Sequence, residues 1–201
     1  MKYPQALEKA IESFAKLPGI GKKSAQRMVQ HLLKTEEREV LQFASALESL
    51  KTDIHFCSRC FHITEKGEDL CAVCADSSRD HSILCVVEEF IDVFAIEQTK
   101  SYHGVYHVLH GSLSPINGVG PGKLTIEQLL ARLSKEPIDE LVFATNPTLE
   151  GEATAMYIKK HIGEESGIKL TRIAKGIPMG GDIDYADEVT LGNSLQQRVG
   201  Y

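Results

Sequence analysis

The sequence predicts a mixed α/β protein with a helical N-terminal region, a small cysteine-rich module, a parallel-sheet domain and a short helical tail. Three observations carry this. Apolar residues recur at helical spacing from about residue 4 to 52 and then lose that period. Four of the five cysteines fall between Cys57 and Cys74. From about 80 to 177, short apolar runs rich in β-branched residues alternate with helical stretches, as in strands joined by crossover helices. At 201 residues and 42% hydrophobic the chain can bury a core, and 25% charged residues are compatible with order throughout. The expected segments are 1–53, 54–78, 80–177 and 178–201.

In the first segment, Leu7, Ala10, Ile11 and Phe14 form one apolar stripe, and Ala25, Met28, Val29, Leu32 and Leu33 a second. A third helix places Val40, Ala44 and Leu47 in register, with Thr35 as its expected N-cap and Glu36 and Glu37 in its first turn. In the sheet segment, strands are expected at Ile83–Val87, Tyr106–Leu109, Leu141–Ala144 and Leu170–Ala174, with helices at about 89–98, 125–134 and 151–162. The last segment opens on a glycine-rich bend, Gly176 to Asp182, and ends in a short helix. Its Leu191, Leu195 and Val199, spaced by four, can pack on a neighbouring subunit or on the chain's own sheet domain.

The net charge is −6, yet residues 1–34 hold seven Lys and Arg against Glu8 and Glu12, a local +5 that leaves −11 for the rest. A basic end on an acidic body suits a protein that meets phosphate with one face, although a solvated helical face gives the same count. No apolar run reaches the roughly 18 residues of a membrane helix, and Met1 to Ala10 lacks the apolar stretch of a secretory signal, which predicts a cytoplasmic protein.

Cys57 and Cys60 form one Cys-x-x-Cys pair and Cys71 and Cys74 a second, ten residues on. Each pair turns two thiolates toward one point, and two pairs supply the four soft ligands of a tetrahedral zinc site. One structural Zn2+ per chain is expected. Disulfides are the rival reading, and a reducing compartment disfavours them. Four protein ligands leave no open position for a catalytic water, and a stretch this small needs its metal to fold. His62 is not expected to ligate. Cys85, between Leu84 and Val86, reads as a small buried hydrophobe.

Leu17 to Ala25 separates the first two helices. Gly19 and Gly21 let the backbone turn tightly, and the second helix then starts at about Lys22 with its amides facing outward. Helix-start amides bind phosphate oxygens, and Lys22, Lys23 and Arg27 add charge beside them. Contacts of this kind hold the backbone of DNA without reading bases. The stretch resembles a helix-hairpin-helix motif; an ordinary αα turn is the alternative.

Glu88 closes the first sheet strand, and Ala144 to Glu152 follows the third. This pattern resembles the toprim domain of topoisomerases and primases. In catalytic toprims a strand-end Glu works with two Asp, one residue apart, that bind magnesium. The matching positions here are Asn146 and Thr148, both neutral, so metal affinity should fall steeply. Glu88, Glu150 and Glu152 remain, which leaves weak Mg2+ binding open though not expected. Glu150 and Glu152 also read as a favourable acidic first turn, or as a protein-docking patch. Gly118 to Lys123 invites a phosphate-loop reading, but Asn117 and Leu124 occupy positions where that motif needs Gly and Ser or Thr. Ser112 to Pro121 is instead expected to be a mobile loop over the sheet edge.

Taken in order, these pieces resemble the RecR family of bacterial recombination mediators over nearly the full chain. The likeness rests on Leu17 to Gly21, the cysteine set, Tyr106 to Leu109 leading to Leu113-Ser114-Pro115, Thr145 to Thr148, Glu150 to Ala155 and Thr171 to Ala174. The neutral pair in the acidic motif also occurs in that family. The ten-residue gap between the cysteine pairs is slightly long for it. The resemblance implies sequence-independent DNA binding, partners RecO and RecF in gap repair, help in loading the recombinase on single-stranded DNA, and ring-like homo-oligomers, dimers or tetramers, able to clamp DNA. It implies no catalysis. The competing readings are a magnesium-dependent phosphoryl-transfer enzyme using Glu88 and a scaffold that contacts protein alone.

Overall fold

The computed structural model describes residues 3–163, 166–177, 179–198 and 200. Lys2, Pro178 and Val199, which enter the sequence reading, lie outside the described residues. The chain divides into two compact units, residues 1–54 and 55–201.

The first unit holds α1 (Gln5–Ala15), α2 (Lys22–Leu32) and α3 (Glu37–Thr52). Its core is Ile11, Ala25 and Val29, with Leu7, Ala10, Phe14 and Ile20 packed around them. These residues come from α1, α2 and their connection, as the two apolar stripes require. Two details of the third helix differ from expectation. Thr35 does not cap it: its hydroxyl donates to the carbonyl of His31 at 3.0 Å, closing the end of α2, and Glu36 holds the N-cap position of α3. And α3, although Val40, Ala44 and Leu47 are in register, buries none of its sixteen residues.

A two-stranded sheet of β1 (Ile54–Phe56), whose first residue is the last of the first unit, and β2 (Ile63–Glu65) comes next, with the short α4 (Ala72–Ala75). A four-stranded sheet follows, made of β3 (Asp80–Val87), β4 (Gly104–Val108), β5 (Glu140–Phe143) and β6 (Lys169–Arg172) in the order β4-β3-β5-β6, with every pairing parallel. The crossovers carry α5 (Phe90–Gln98), α6 (Ile126–Leu133) and α7 (Leu149–Ile162), and the tail carries α8 (Glu188–Gln196).

Side chains alternate across the central strand. Leu84 and Val86 of β3 enter one cluster with Leu129 of α6 and Ala155 and Ile158 of α7. Cys85 and Val87 enter another with Val93 of α5, Tyr106, Val108 and Ala144. Cys85 is thus the small core residue expected, its thiol pushed up to about 12 by burial. Ser112 to Pro121 departs from the mobile loop expected. Ser114 and Val119 form an antiparallel bridge, the Asn117 side-chain nitrogen donates to Ser114 Oγ at 2.9 Å, and Gly118 turns the chain at φ 69°.

The cysteine module is tied to the large sheet. The Val108 amide donates to the carbonyl of Cys60 at 2.8 Å, so the module occupies the outer edge of β4. Arg59 reaches Glu136 with both ends of its fork, at 3.0 and 2.9 Å, and Glu136 also receives Arg132 Nε at 2.9 Å. Arg132 is buried and donates its second nitrogen to the Tyr106 carbonyl at 2.8 Å. A buried cation that loses its only carboxylate costs far more than an exposed pair. Glu136→Ala is therefore expected to destabilise the second unit by about 3 kcal/mol in urea denaturation, whereas Arg132→Met, which removes the buried charge with its partner still half-exposed, costs less.

Candidate metal centre and nucleic-acid interface

Cys57, Cys60, Cys71 and Cys74 are all buried, and their four Sγ atoms lie within 4.8 Å of one another. Cys60 and Cys71 Sγ are 3.5 Å apart. A tetrahedral ion with metal–sulfur bonds of about 2.3 Å spaces its thiolates by about 3.8 Å, so the cluster can hold a metal ion such as zinc. The loop makes the turn that this requires. Phe61 takes φ 63°, its amide donates to the Cys57 carbonyl at 3.0 Å, and the His62 amide points at Cys60 Sγ at 3.4 Å.

The thiols also respond to one another. Cys57 is held far below the ordinary thiol range by donation from Cys60 first, then Cys71 and Cys74, and the same interaction with Cys57 pushes Cys60 far up. A bound dication would let all four thiols ionise. His62 is not among the four convergent residues.

In the first unit, the turn between α1 and α2 is built as its glycines require. Gly19 adopts φ 79°, and a side chain at Gly19 or Gly21 would meet nothing within 4 Å, which leaves the backbone open on that side. Gly21 is the extended N-cap residue of α2, and no side chain caps the helix. The Ala25 amide already turns inward to the Gly21 carbonyl at 3.0 Å, whereas the amides of Lys22, Lys23 and Ser24 precede the first helical bond. Lys22, Lys23 and Arg27, on the first turns of the same helix, are all exposed to solvent. Outward amides, the positive end of the helix dipole and three cations can together hold a phosphate.

At the carboxyl edge of the large sheet, Glu88 is buried and bound twice by one residue. Its Oε1 accepts the Asn146 amide at 2.9 Å and its Oε2 the Asn146 side-chain nitrogen at 2.8 Å. The first turn of α7 presses on this pair: a Cβ at Gly151 would stand 2.6 Å from Glu88 Oε1 and 2.1 Å from the Asn146 carbonyl. Thr148 is the N-cap of α7 and accepts the Gly151 amide at 3.1 Å. Glu150 is exposed, and Glu152 pairs with Arg172 at 2.7 Å and with Lys175.

Sequence reasoning singled out the carboxylates but missed Asn146 as Glu88's partner and the two cations on Glu152. The partners lie 58, 20 and 23 positions away, and neither helical nor strand period links them. A signal for the first was Gly151, a glycine in a helix's opening turn where something must approach closely. Beside this edge lies a cavity of about 540 Å3 lined by Leu149, Arg172, Ile173 and Lys175 and by Val189 and Asn193 of α8. The tail thus lies along the carboxyl ends of β5 and β6, with Leu191 half-buried and Leu195 exposed.

A hairpin whose helix-start amides stand beside Lys22, Lys23 and Arg27, a four-thiol centre and a parallel sheet with a carboxylate at its strand end are features that suit a nucleic-acid-handling protein. Comparison with known families makes this specific. Residues 7–51 match the family described as RecR, helix-hairpin-helix; residues 82–174 match the toprim domain; residues 176–199 match RecR, C-terminal. The chain belongs to the RecR family, binds DNA and has its role in DNA repair and recombination.

Two outcomes are expected at these sites. Stripping the metal with a thiol-competing chelator, or changing Cys57 to Ser, unfolds the module and lowers the melting temperature of the second unit; a variant that holds no metal by mass spectrometry yet melts with the parent would remove the structural role. Asn146→Asp places a second carboxylate against Glu88 and is expected to cost about 1–3 kcal/mol of stability. Part of that loss should return on adding millimolar Mg2+, which thermal denaturation with and without the ion will show.

Proposed function

We propose that the chain is a non-catalytic mediator that grips DNA through the α1–α2 hairpin, independently of sequence. It acts with RecO and RecF in gap repair to help load the recombinase on single-stranded DNA. The observation that carries this reading is the contrast between its two polar sites. The hairpin's amides and cations are unspent, whereas the carboxylates at the toprim edge already have protein partners: Asn146 takes both oxygens of Glu88, and Arg172 and Lys175 converge on Glu152. Bound in this way, Glu88 and Glu152 offer a hard dication little, which supports the absence of phosphoryl transfer and of a bound Mg2+.

The four thiols hold one structural Zn2+ per chain. The functional division follows the segments: 1–53 for DNA, with Gly19, Gly21, Lys22, Lys23 and Arg27 touching it; 54–78 for zinc; 80–177 as the toprim body, where exposed Glu150 serves partner docking together with the Glu88 and Glu152 edge; and 178–201 as an oligomerisation tail. The working form is a ring-like homo-oligomer, a dimer or tetramer. Support comes from α3, whose Val40, Phe43, Leu47 and Leu50 alternate by three and four as in a coiled-coil seam, with Phe43, Leu47 and Leu50 exposed. No helix among the described residues is long and apolar enough to cross a membrane, and the protein works in the cytoplasm on nucleoid DNA.

The test is salt-dependent binding. Changing Lys22 and Lys23 to Glu is expected to weaken binding to all sequences alike. It should also flatten the slope of log affinity against log salt by about one for each phosphate no longer neutralised. Unaltered affinity removes the hairpin assignment. Strand cleavage or joining with Mg2+ or Mn2+ that disappears in Glu88→Gln establishes the enzyme instead.

A further inference from the structure

The stretch Gly118 to Lys123 departs from the nucleotide-loop motif, yet its backbone repeats the turn of the α1–α2 hairpin. In the hairpin, Gly19 takes φ 79°, Ile20 packs on the first unit's core, and Gly21 is extended at φ −79° and ψ 162° before Lys22. In the second unit, Gly118 takes φ 69°, Val119 packs on the core of the large sheet, and Gly120 is extended at φ −94° and ψ 175°. Pro121, Gly122 and Lys123 follow. Each turn joins a left-handed glycine, an anchored aliphatic residue and an extended glycine, and then reaches a lysine. A Cβ at Gly118, Gly120 or Gly122 would meet nothing within 4 Å, so the backbone is open to close approach.

Some of the loop's donors hold its shape. The Ser114 amide donates to the Val119 carbonyl at 3.0 Å and the Val119 amide to that of Ser114 at 2.9 Å; Gly118 donates to Pro115 at 3.0 Å and Lys123 to Gly120 at 3.1 Å. The Leu113 amide donates to Thr154 Oγ1 at 2.8 Å and the Gly111 amide to the Glu88 carbonyl at 2.9 Å, which fixes the root of the loop to α7 and to the carboxyl end of β3. The amides of Ile116, Gly120 and Gly122 have no acceptor among the described residues, and all three residues are exposed. Turn amides left free in this way hold anions. Pro121–Lys123 is too short to add a helix dipole, so the charge comes from Lys123, which is exposed.

The charge pattern and the tip select the anion. The two longest stretches of the chain without Asp or Glu are residues 13–35, which hold the hairpin, and 98–126, which hold this loop. Buried β4 fills the middle of the second stretch, and most residues from Pro115 to Lys123 are exposed. On a body of net charge −11 outside residues 1–34, such a surface is where a polyanion can approach. A nucleoside triphosphate fits less well, because buried Leu124 stands where its loop places a hydroxyl for Mg2+. At the tip, Ile116 is 98% exposed on a loop that the bonds above keep closed. Isoleucine is among the side chains that proteins lay against unstacked bases, and a single strand offers its bases freely.

We propose that Pro115 to Lys123 is a second DNA-contact element, which takes a phosphate of single-stranded DNA on the Gly120 and Gly122 amides and Lys123 while Ile116 lies against a base. It goes beyond the hairpin grip and does not depend on it.

Full-length, metal-loaded protein and a fluorescein-labelled oligothymidine test this by anisotropy over a series of salt concentrations, beside a duplex of the same length. Gly120→Val suits the extended backbone before Pro121 and the open space around it, so it sets a side chain in the path of the phosphate and keeps the fold, which circular dichroism and metal content check. Gly120→Val/Lys123→Glu is expected to bind the single strand about tenfold more weakly and to flatten the slope of log affinity against log salt by about 0.7, the value for one phosphate of a single strand. Ile116→Ser is expected to weaken single-strand binding about threefold with the slope unchanged, and to leave the duplex unaffected. Lys159→Glu, the same charge change at an exposed position of α7, is expected to alter neither. Unaltered affinity in Gly120→Val/Lys123→Glu, or an equal loss in Lys159→Glu, overturns the loop site. Ile116→Ser that binds the single strand like the wild type overturns the base contact and gives the tip to another partner. Each variant is repeated in the Lys22→Glu/Lys23→Glu background. Losses there, with that background itself binding like the wild type, keep the loop and remove the hairpin; a silent loop beside a weakened background keeps the hairpin and removes the loop.

Discussion

A parallel sheet of four strands must be covered on both faces and at its edges, because its crossovers bury it and its outer strands carry unpaired backbone groups. The arrangement of the second unit follows from how few residues are available for that. One face receives α6 and α7. The other receives only α5, helped by Phe61 and Val73 from the cysteine module. The same module closes the β4 edge by giving the Cys60 carbonyl to the Val108 amide, and Arg59 locks it to Glu136. The cysteine segment is thus part of the sheet's cover, and its four buried thiols converge where a hydrophobic core would be too small.

The toprim edge shows how a fold is separated from the chemistry often built on it. The strand-end carboxylate is in place, but its oxygens are held by the backbone and side-chain amides of one asparagine, and Gly151 lets α7 close over the pair. What is ordinarily a site for a cation is here a hydrogen-bonded joint between β3, the chain after β5 and α7. The neutral amide makes the joint stable without an ion. The first unit's polar site has the opposite character, with donors directed outward and nothing among the described residues to satisfy them.

What could be read from the sequence was local. Two Cys-x-x-Cys pairs, a Pro-Gly-x-Gly-Lys turn and four short apolar runs each state their geometry within eighteen residues or fewer, and the strands, crossover helices, hairpin and thiol cluster formed close to where that chemistry placed them. What could not be read was set by competition or distance. Thr35 fits an N-cap by type, but the open carbonyl of His31 lies nearer its hydroxyl, so Glu36 takes the cap position. Ser112 to Pro121 carries two glycines and two prolines like a loose loop, yet Ser114 pairs with Val119 and closes it. Amphipathic spacing showed that α3 is a helix and gave no sign that it buries nothing, because period reports which face wants cover and not whether cover exists. The bonds of Glu88 to Asn146 and of Glu152 to Arg172 join residues that only the sheet brings together.

The position of Arg59 inside the first cysteine pair also sets a sequence of events during synthesis. Cys74, the last thiol of the cluster, precedes Glu136 by 62 positions, which at 5–20 residues per second is roughly 3–12 s of translation. The metal module is complete before its salt-bridge partner, and before β5 and β6, have been made. β3 meanwhile emerges with β5, its inner neighbour, still missing. A nascent chain that takes up its ion early therefore presents a folded platform on which the later strands assemble, and one starved of metal must keep an unpaired, strongly apolar strand away from its neighbours on the same messenger.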